Sequence, residues 1–307
     1  MEEIQLHLAS QVQTTSSLDV SRVSHVAGLD IQWLNEKTAI VSASICTFPR
    51  GKEVWSKTFL YPSKPLEYKA GYLGFREVPL YRYMWSFLKR NVHRSLHPQV
   101  VLIDGNGILH PRLCGSASHF GVLETIPTIG VAKNIHMIDG LSRDIKQWMA
   151  TRGLTTYPLK GVSGIFYGYA FRSPKTINPI YISPGHKISQ VDALTIVSSL
   201  CHYREPEPLR LADRNARAFE RSLKSSAQPK VVQRQPSRRT AISRLRNKTE
   251  FCTKCFRAFC PHRNFPYYVL KEDERIPLRF YCPQCVFPLE RRSTRLDDES
   301  QALLLTL

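Results

Sequence analysis

No apolar run in this 307-residue chain reaches the roughly 20 residues that cross a bilayer. The opening segment, MEEIQLHLASQVQTTSSLDVS, starts acidic and has no basic flank before an apolar core, so no secretory signal is expected. Without one, the eight cysteines are expected to be thiols or metal ligands rather than disulfides. Internal repeats are absent, and residues 224–248 contain no acidic residue. Negative charge is scarce throughout: 25 Asp and Glu face 43 Lys and Arg, a net charge of +18. Such a surplus suits polyanion partners, because Lys and Arg on phosphates release condensed counterions. A basic tail on a near-neutral body would give the same total. With 42% hydrophobic residues, most of the chain can build a packed core.

The body runs from about residue 23 to about 223. It opens with VAGLDIQWL, TAIVSASICTF and EVWSKTFLY, three strand-like segments joined by short polar stretches, so antiparallel neighbours are expected. A helix is expected at about residues 78–92, with Pro79 in its first turn. VVLIDGNG and TIGVAKN then read as buried strands ending in turns, GIFYGYAF and PIYISPG as later strands, and VDALTIVSSLCHY as a helix. An antiparallel opening that passes into strand–helix alternation indicates an α/β fold with a mixed sheet. Residues 224–249 form a basic linker with little apolar periodicity. Five cysteines crowd the region beyond it, and residues 291–307 make a polar tail.

Asp30 ends the run VAGLD and Asp104 ends VVLID, which places two carboxylates at strand positions on the edge of the core. Singly, an Asp before Gly-Asn-Gly is a turn former. As a pair from neighbouring strands, they supply the oxygen ligands that suit Mg²⁺. Glu77 lies just before the expected helix, where an acid also serves the helix dipole. Lys133 in GVAKN and His186 in ISPGHKIS each follow a strand-like segment, the usual position of ligand-binding groups in open α/β sheets. Ordinary surface or packing roles remain open for each of them.

GLDIQW, YLGFREVP, VVLIDGNGILHPR, GVLETIPTIGVAKN, PIYISPGHKIS and REPEPLRLAD, in this order over residues 23–223, resemble the endonuclease V family. The resemblance implies a ribonuclease H-like mixed sheet flanked by helices. It implies an endonuclease that hydrolyses the second phosphodiester 3′ to inosine or deoxyinosine, leaving 3′-hydroxyl and 5′-phosphate ends. By the same resemblance Asp30, Asp104 and Glu77 hold Mg²⁺, with Mn²⁺ able to substitute, and Lys133 and His186 complete the catalytic set near the scissile phosphate. Tyr68 matches the wedge tyrosine that enters where the base is drawn out, although Glu67 stands where the family has proline and Lys69 follows. Leu109 and Gly121, in glycine-containing stretches at residues 107–110 and 115–121, match lining positions of the base pocket. Asp213, in the last matched segment, is a further carboxylate with a helix-surface role equally open.

Cys252-x-x-Cys255 and Cys282-x-x-Cys285 make two knuckles whose thiolates can face one tetrahedral zinc, in a small zinc-ribbon-like module at residues 250–290. Cys260 and His262 lie close by and are spare ligands. A closed zinc site is structural, without catalysis. The expected protein is a monomer in the nucleus or cytoplasm, with residues 1–22 as an N-terminal extension, no membrane association, and inosine-containing single-stranded RNA or DNA as partner. Two other functions fit the same residues: an inosine-RNA-binding protein with a degenerate nuclease core, or a ribonuclease H-like nuclease of different specificity.

Overall fold

The computed structural model describes residues 1–16, 19–62, 69–174 and 176–227, together with four short strands further on. Two compact units divide the chain at Pro229. In the second, β9 (Glu250–Phe251) pairs antiparallel with β10 (Ala258–Phe259), and β11 (Tyr268–Leu270) with β12 (Arg279–Tyr281). Cys252, Cys255, Cys260, His262, Cys282 and Cys285 lie outside the described residues, as does Tyr68.

The first unit is built on an eight-stranded sheet. Its strands are β1 (His25–Asn35), β2 (Thr38–Thr47), β3 (Glu53–Pro62), β4 (Val100–Asp104), β5 (Thr128–Ala132), β6 (Thr156–Lys160), β7 (Phe166–Phe171) and β8 (Ile180–His186). They lie in the order β3-β2-β1-β4-β5-β8-β7-β6. The opening three strands are antiparallel neighbours, as their short connections require. β1, β4 and β5 run parallel, and β8, β7 and β6 return antiparallel. The result is a mixed α/β fold. β6 is an outer strand, and its Pro158 is exposed.

Helices cover both faces. On one, α2 (Leu73–Asn91) and α3 (Ser116–Glu124) bury Val78, Tyr81, Met84, Leu88 and Phe120 against Leu29, Val101 and Ile103. On that same face, α4 (Asp144–Thr151) sets Ile145 and Met149 on Ala132, Leu159, Ala170 and Tyr181. The other face takes α5 (Gln190–Leu200) and the start of α6 (Glu207–Ala227) against Val26, Leu102, Ile129, Val131 and Ile182. α6 lies very close to β1, since a Cβ on Gly28 would fall 2.3 Å from the Pro208 carbonyl carbon. α1 (Glu2–Ser10) is anchored by buried Gln5, whose amide donates to the carbonyls of Cys114 at 2.6 Å and Gly71 at 3.2 Å. No described helix is long and apolar enough to cross a membrane. Cys46, Cys114 and Cys201 are free thiols.

The sequence pattern misplaces the start of α2. The helix begins at Leu73, so Pro79 lies in its interior and Glu77 in its second turn rather than ahead of it. Val78, Leu80, Tyr81, Met84, Trp85 and Leu88 are all buried along this helix. Each buried side chain of this kind contributes about 1.5–3 kcal/mol, and together they outweigh the roughly 3 kcal/mol that an interior proline costs. Residues 116–121 are also not a loop: they form most of α3.

Candidate active site

Gly28 of β1 pairs with Leu102 of the parallel β4. Two residues further along each strand stand Asp30 and Asp104, level with one another and on the face that α6 covers. A cavity of about 430 Å³ opens there, lined by Asp30 and Asp104 of the sheet and by Asp213, Arg217, Glu220 and Arg221 of α6. Lys133 follows β5, and its Nζ lies 2.9 Å from Asp104 Oδ2 and 3.2 Å from Glu205 Oε2. Arg204 fixes the backbone at this point, donating from Nη2 to the Lys133 carbonyl at 2.9 Å and to the Pro179 carbonyl at 3.1 Å. Asp213 is paired with Arg217 at 2.8 Å. Glu77 approaches from α2 with Oε2 buried and without a hydrogen-bond partner.

The electrostatics of this cluster ask for a cation. Burial, then the charges of Asp104 and Asp213, push Asp30 up to about 7. Burial, then Asp104 and Asp30, push Glu77 up to about 8. Burial opposes the charge on Lys133, but Asp104 and Glu205 more than offset it and raise its pKa. One lysine thus stands among five carboxylates. Among the described residues no three His, Cys, Asp or Glu side chains form a ready metal cage. A hard cation such as Mg²⁺ does not need one, because it keeps several waters and binds through one or two carboxylates plus substrate phosphate. The all-oxygen donor set and the unpartnered Glu77 Oε2 fit that ion.

His186 is not brought to this cluster. It ends β8 opposite Thr128, at the start of β5, whereas Asp104 pairs with Val131 near the other end. The offset along the strand is about 10 Å. β8 runs antiparallel to β5, so a residue that follows it emerges at the opposite edge of the sheet from one that follows β4 or β5. His186 is buried, its Nδ1 accepts from the Gln13 N–H at 3.3 Å, and burial, then Lys187, lower its pKa. The structure therefore places it in the packing beside Gln13 rather than with the carboxylates.

Leu109 is fully buried and packs with Ala132 and Leu141. Gly121 lies within α3, where a Cβ would fall 2.2 Å from Thr128 Oγ1 and 2.7 Å from His186 Cβ. It is a close-packing position between helix and strand, not part of an open loop. Sequence reasoning missed Glu205 and named Asp213 as a weaker candidate carboxylate, with a helix-surface role equally open. The one signal for both was their place in REPEPLRLAD, just past the last strand and helix of the body.

The family model for endonuclease V matches residues 6–214. The mouse protein named Endonuclease V is 37% identical over 208 residues, which are 66% of this chain and 61% of the mouse protein. The catalytic domain of human Endonuclease V superposes with a TM-score of 0.69 at 33% identity, covering 73% of this chain and 96% of that one. Ciona intestinalis Endonuclease V, solved with a 23mer DNA containing an inosine followed by a ribo-adenosine, gives 0.69 at 30% identity, covering 72% and 95%.

Proposed function

The chain belongs to the endonuclease V family, and on that premise we propose that it is a metal-dependent endonuclease cutting RNA or DNA strands beside inosine. The observation that carries the metal chemistry is the cleft lined by Asp30, Asp104 and Asp213, with Glu77 electrostatically coupled to the first two, Asp30 and Glu77 being pushed up to about 7 and 8 by burial and mutual repulsion. The inosine preference rests on family membership and on the inosine-containing DNA bound by the Ciona relative. The three antiparallel strands followed by two parallel ones support the ribonuclease H-like assignment.

Asp30 and Asp104, with Glu77 and Asp213 beside them, would hold Mg²⁺ or Mn²⁺. When bound, the ion supplies charge neutralisation at the phosphoryl group and an activated water. Lys133 Nζ, shared by Asp104 and Glu205, would neutralise a non-bridging phosphate oxygen beside those carboxylates. His186 has no part in this chemistry and keeps the fold at Gln13 and α3. Cleavage falls at the second phosphodiester 3′ to the base, leaving 3′-hydroxyl and 5′-phosphate. Tyr68 fills the gap left by the extruded base. The protein acts as a monomer, in the nucleus or cytoplasm. Cys252, Cys255, Cys282 and Cys285 hold a structural zinc in the second unit.

One oligonucleotide, made with and without inosine as RNA and as DNA, tests the reading in Mg²⁺ and in EDTA. Cutting is expected only with inosine and only in Mg²⁺. Tight inosine-strand binding with no cutting in either condition would replace the nuclease with a binding protein.

A further inference from the structure

A second concave site lies four strands from the carboxylates. Between α4 and β6 a cavity of about 330 Å³ is lined by Leu141, Ile145, Trp148, Tyr157 and Lys160. Trp148 is 39% exposed although a large apolar ring gains nothing from water. Tyr157 meets its edge at 4.8 Å between ring centroids, and the Arg152 guanidinium lies 4.0 Å above its ring. Lys160 lines the groove together with Asp144, which is hydrogen-bonded to Ser142, and Arg143 and Lys146 are exposed nearby in the chain. Aromatic rings with cations beside them are the combination that holds unpaired bases and their phosphates.

The sheet register ties this groove to the cleft. Ala132 pairs with Tyr181, Tyr181 with Ala170, and Ala170 with Tyr157, so Tyr157 stands level with Ala132, one residue before Lys133. Four strand spacings from β4 make about 19 Å along the rim, and the strand must also cross the rim from the α6 face to the α4 face. At 3.4 Å per stacked step the whole path is about six to eight nucleotides. Half-buried cations line these strand ends, most of them tied to backbone carbonyls. After Lys133 comes Arg204, hydrogen-bonded across to Pro179 ahead of β8. Next is Arg172 after β7, whose Nε donates to the Leu154 carbonyl at 3.2 Å ahead of β6. Arg152 on Trp148 completes the row.

We propose that a single nucleic-acid strand held at the carboxylate cleft continues along these strand ends and stacks a base on Trp148 and Arg152 in the α4–β6 groove. The inference rests on the nuclease reading for what the strand does at its other end. It makes the groove a site for length-dependent affinity: a strand too short to span the edge does not reach it. Either sugar suits a ring and a guanidinium, so ribose and deoxyribose strands both qualify.

Equilibrium binding to the full chain in EDTA tests this, with fluorescently labelled inosine strands carrying about four or about ten nucleotides on each side. Both sugars are measured. The parent is expected to hold the longer strand about tenfold more tightly. Trp148→Ala should reduce that gain to about twofold or less, Trp148→Phe should keep most of it, and Arg152→Gln should fall between. Charges outside the groove act equally in parent and variants, so the difference belongs to the groove. Because Trp148 is partly packed on Tyr157 and Arg152, Trp148→Ala is expected to melt about 2–4 °C below the parent while staying folded at the assay temperature, and Trp148→Phe controls for loss of packing. An undiminished length gain in a folded Trp148→Ala protein overturns the inference and leaves the groove to a protein partner. A parent that never cuts inosine strands, yet shows the Trp148-dependent gain, would lose the nuclease reading and keep the groove.

Discussion

Glu77 carries a carboxyl into an apolar helix–sheet contact and leaves one oxygen there without a partner. A carboxyl whose folded pKa lies above its unfolded value binds its proton more tightly when folded. Its burial is harmless below about pH 4, where both states are protonated, and becomes a penalty as pH rises towards the folded value. With Asp30 at about 7 and Glu77 at about 8, the metal-free protein should lose stability steadily between about pH 4 and pH 8. Glu77→Gln removes one of these charges at constant shape. At pH 8.5 in EDTA its melting temperature should exceed the parent's by roughly 2–8 °C. Its cleavage in Mg²⁺ should fall by about two orders of magnitude. A variant that melts below the parent at that pH would show that the Glu77 charge is not an unfavourable burial. The positions of Asp30 and Asp104 were legible because each ends an apolar run. His186 was not, because a sequence shows where a strand ends but not which way it runs beside its neighbours. Asp213 was legible only as a candidate, because on a helix surface a functional acid and a solvated one look alike.

Among the elements, α2 shows packing overriding a local signal. Proline is the strongest stop sign in a sequence, and it suggested a helix start near Val78. Yet the pattern of buried positions begins at Gly74 and passes through Pro79 without a break. Pro79 itself is exposed, so it contributes conformational cost without burial. Pro79→Ala should restore an amide that can reach the Phe75 carbonyl one turn back, and thermal denaturation should show a rise of roughly 2–8 °C. A drop would mean that α2 is shaped around the ring. The opening three strands and β4, β5, β7, β8 and α5 were all readable from apolar runs or periodicity. α3 was not, because its Ser and Gly residues have low helix propensity and its stability comes from Ala117 and Phe120 in the core. α4 and β6 are short, and α1 is held by Gln5 rather than by an apolar face.

At the scale of the molecule, the charge and the cysteines belong partly to different units. The first unit closes at Pro229, after the end of α6. Truncation after Pro229 should therefore leave a folded body with native-like melting. It should remove bound zinc entirely, since all four proposed ligands lie beyond the cut. It should also flatten the dependence of strand affinity on salt, because each lost phosphate contact lowers the slope by about one. An unchanged slope would place the tail's cations off the nucleic acid. The α/β class could be read from composition and pattern. The side-by-side placement of β4 with β1, which brings Asp104 level with Asp30, could not. It is set by pairing between segments more than sixty residues apart.

An open sheet of eight strands has two rims, and any rim is a template on which a second copy of the chain can grow. β6 forms one of them with only five residues, and Pro158 stands at its centre. Proline has no amide hydrogen, and in a border strand its nitrogen faces outward. The row of donors that an incoming strand would need is interrupted midway. The rim that borders the Trp148 groove is thus closed to self-templating by its own backbone, while the rings and cations beside it stay open to a strand of different chemistry.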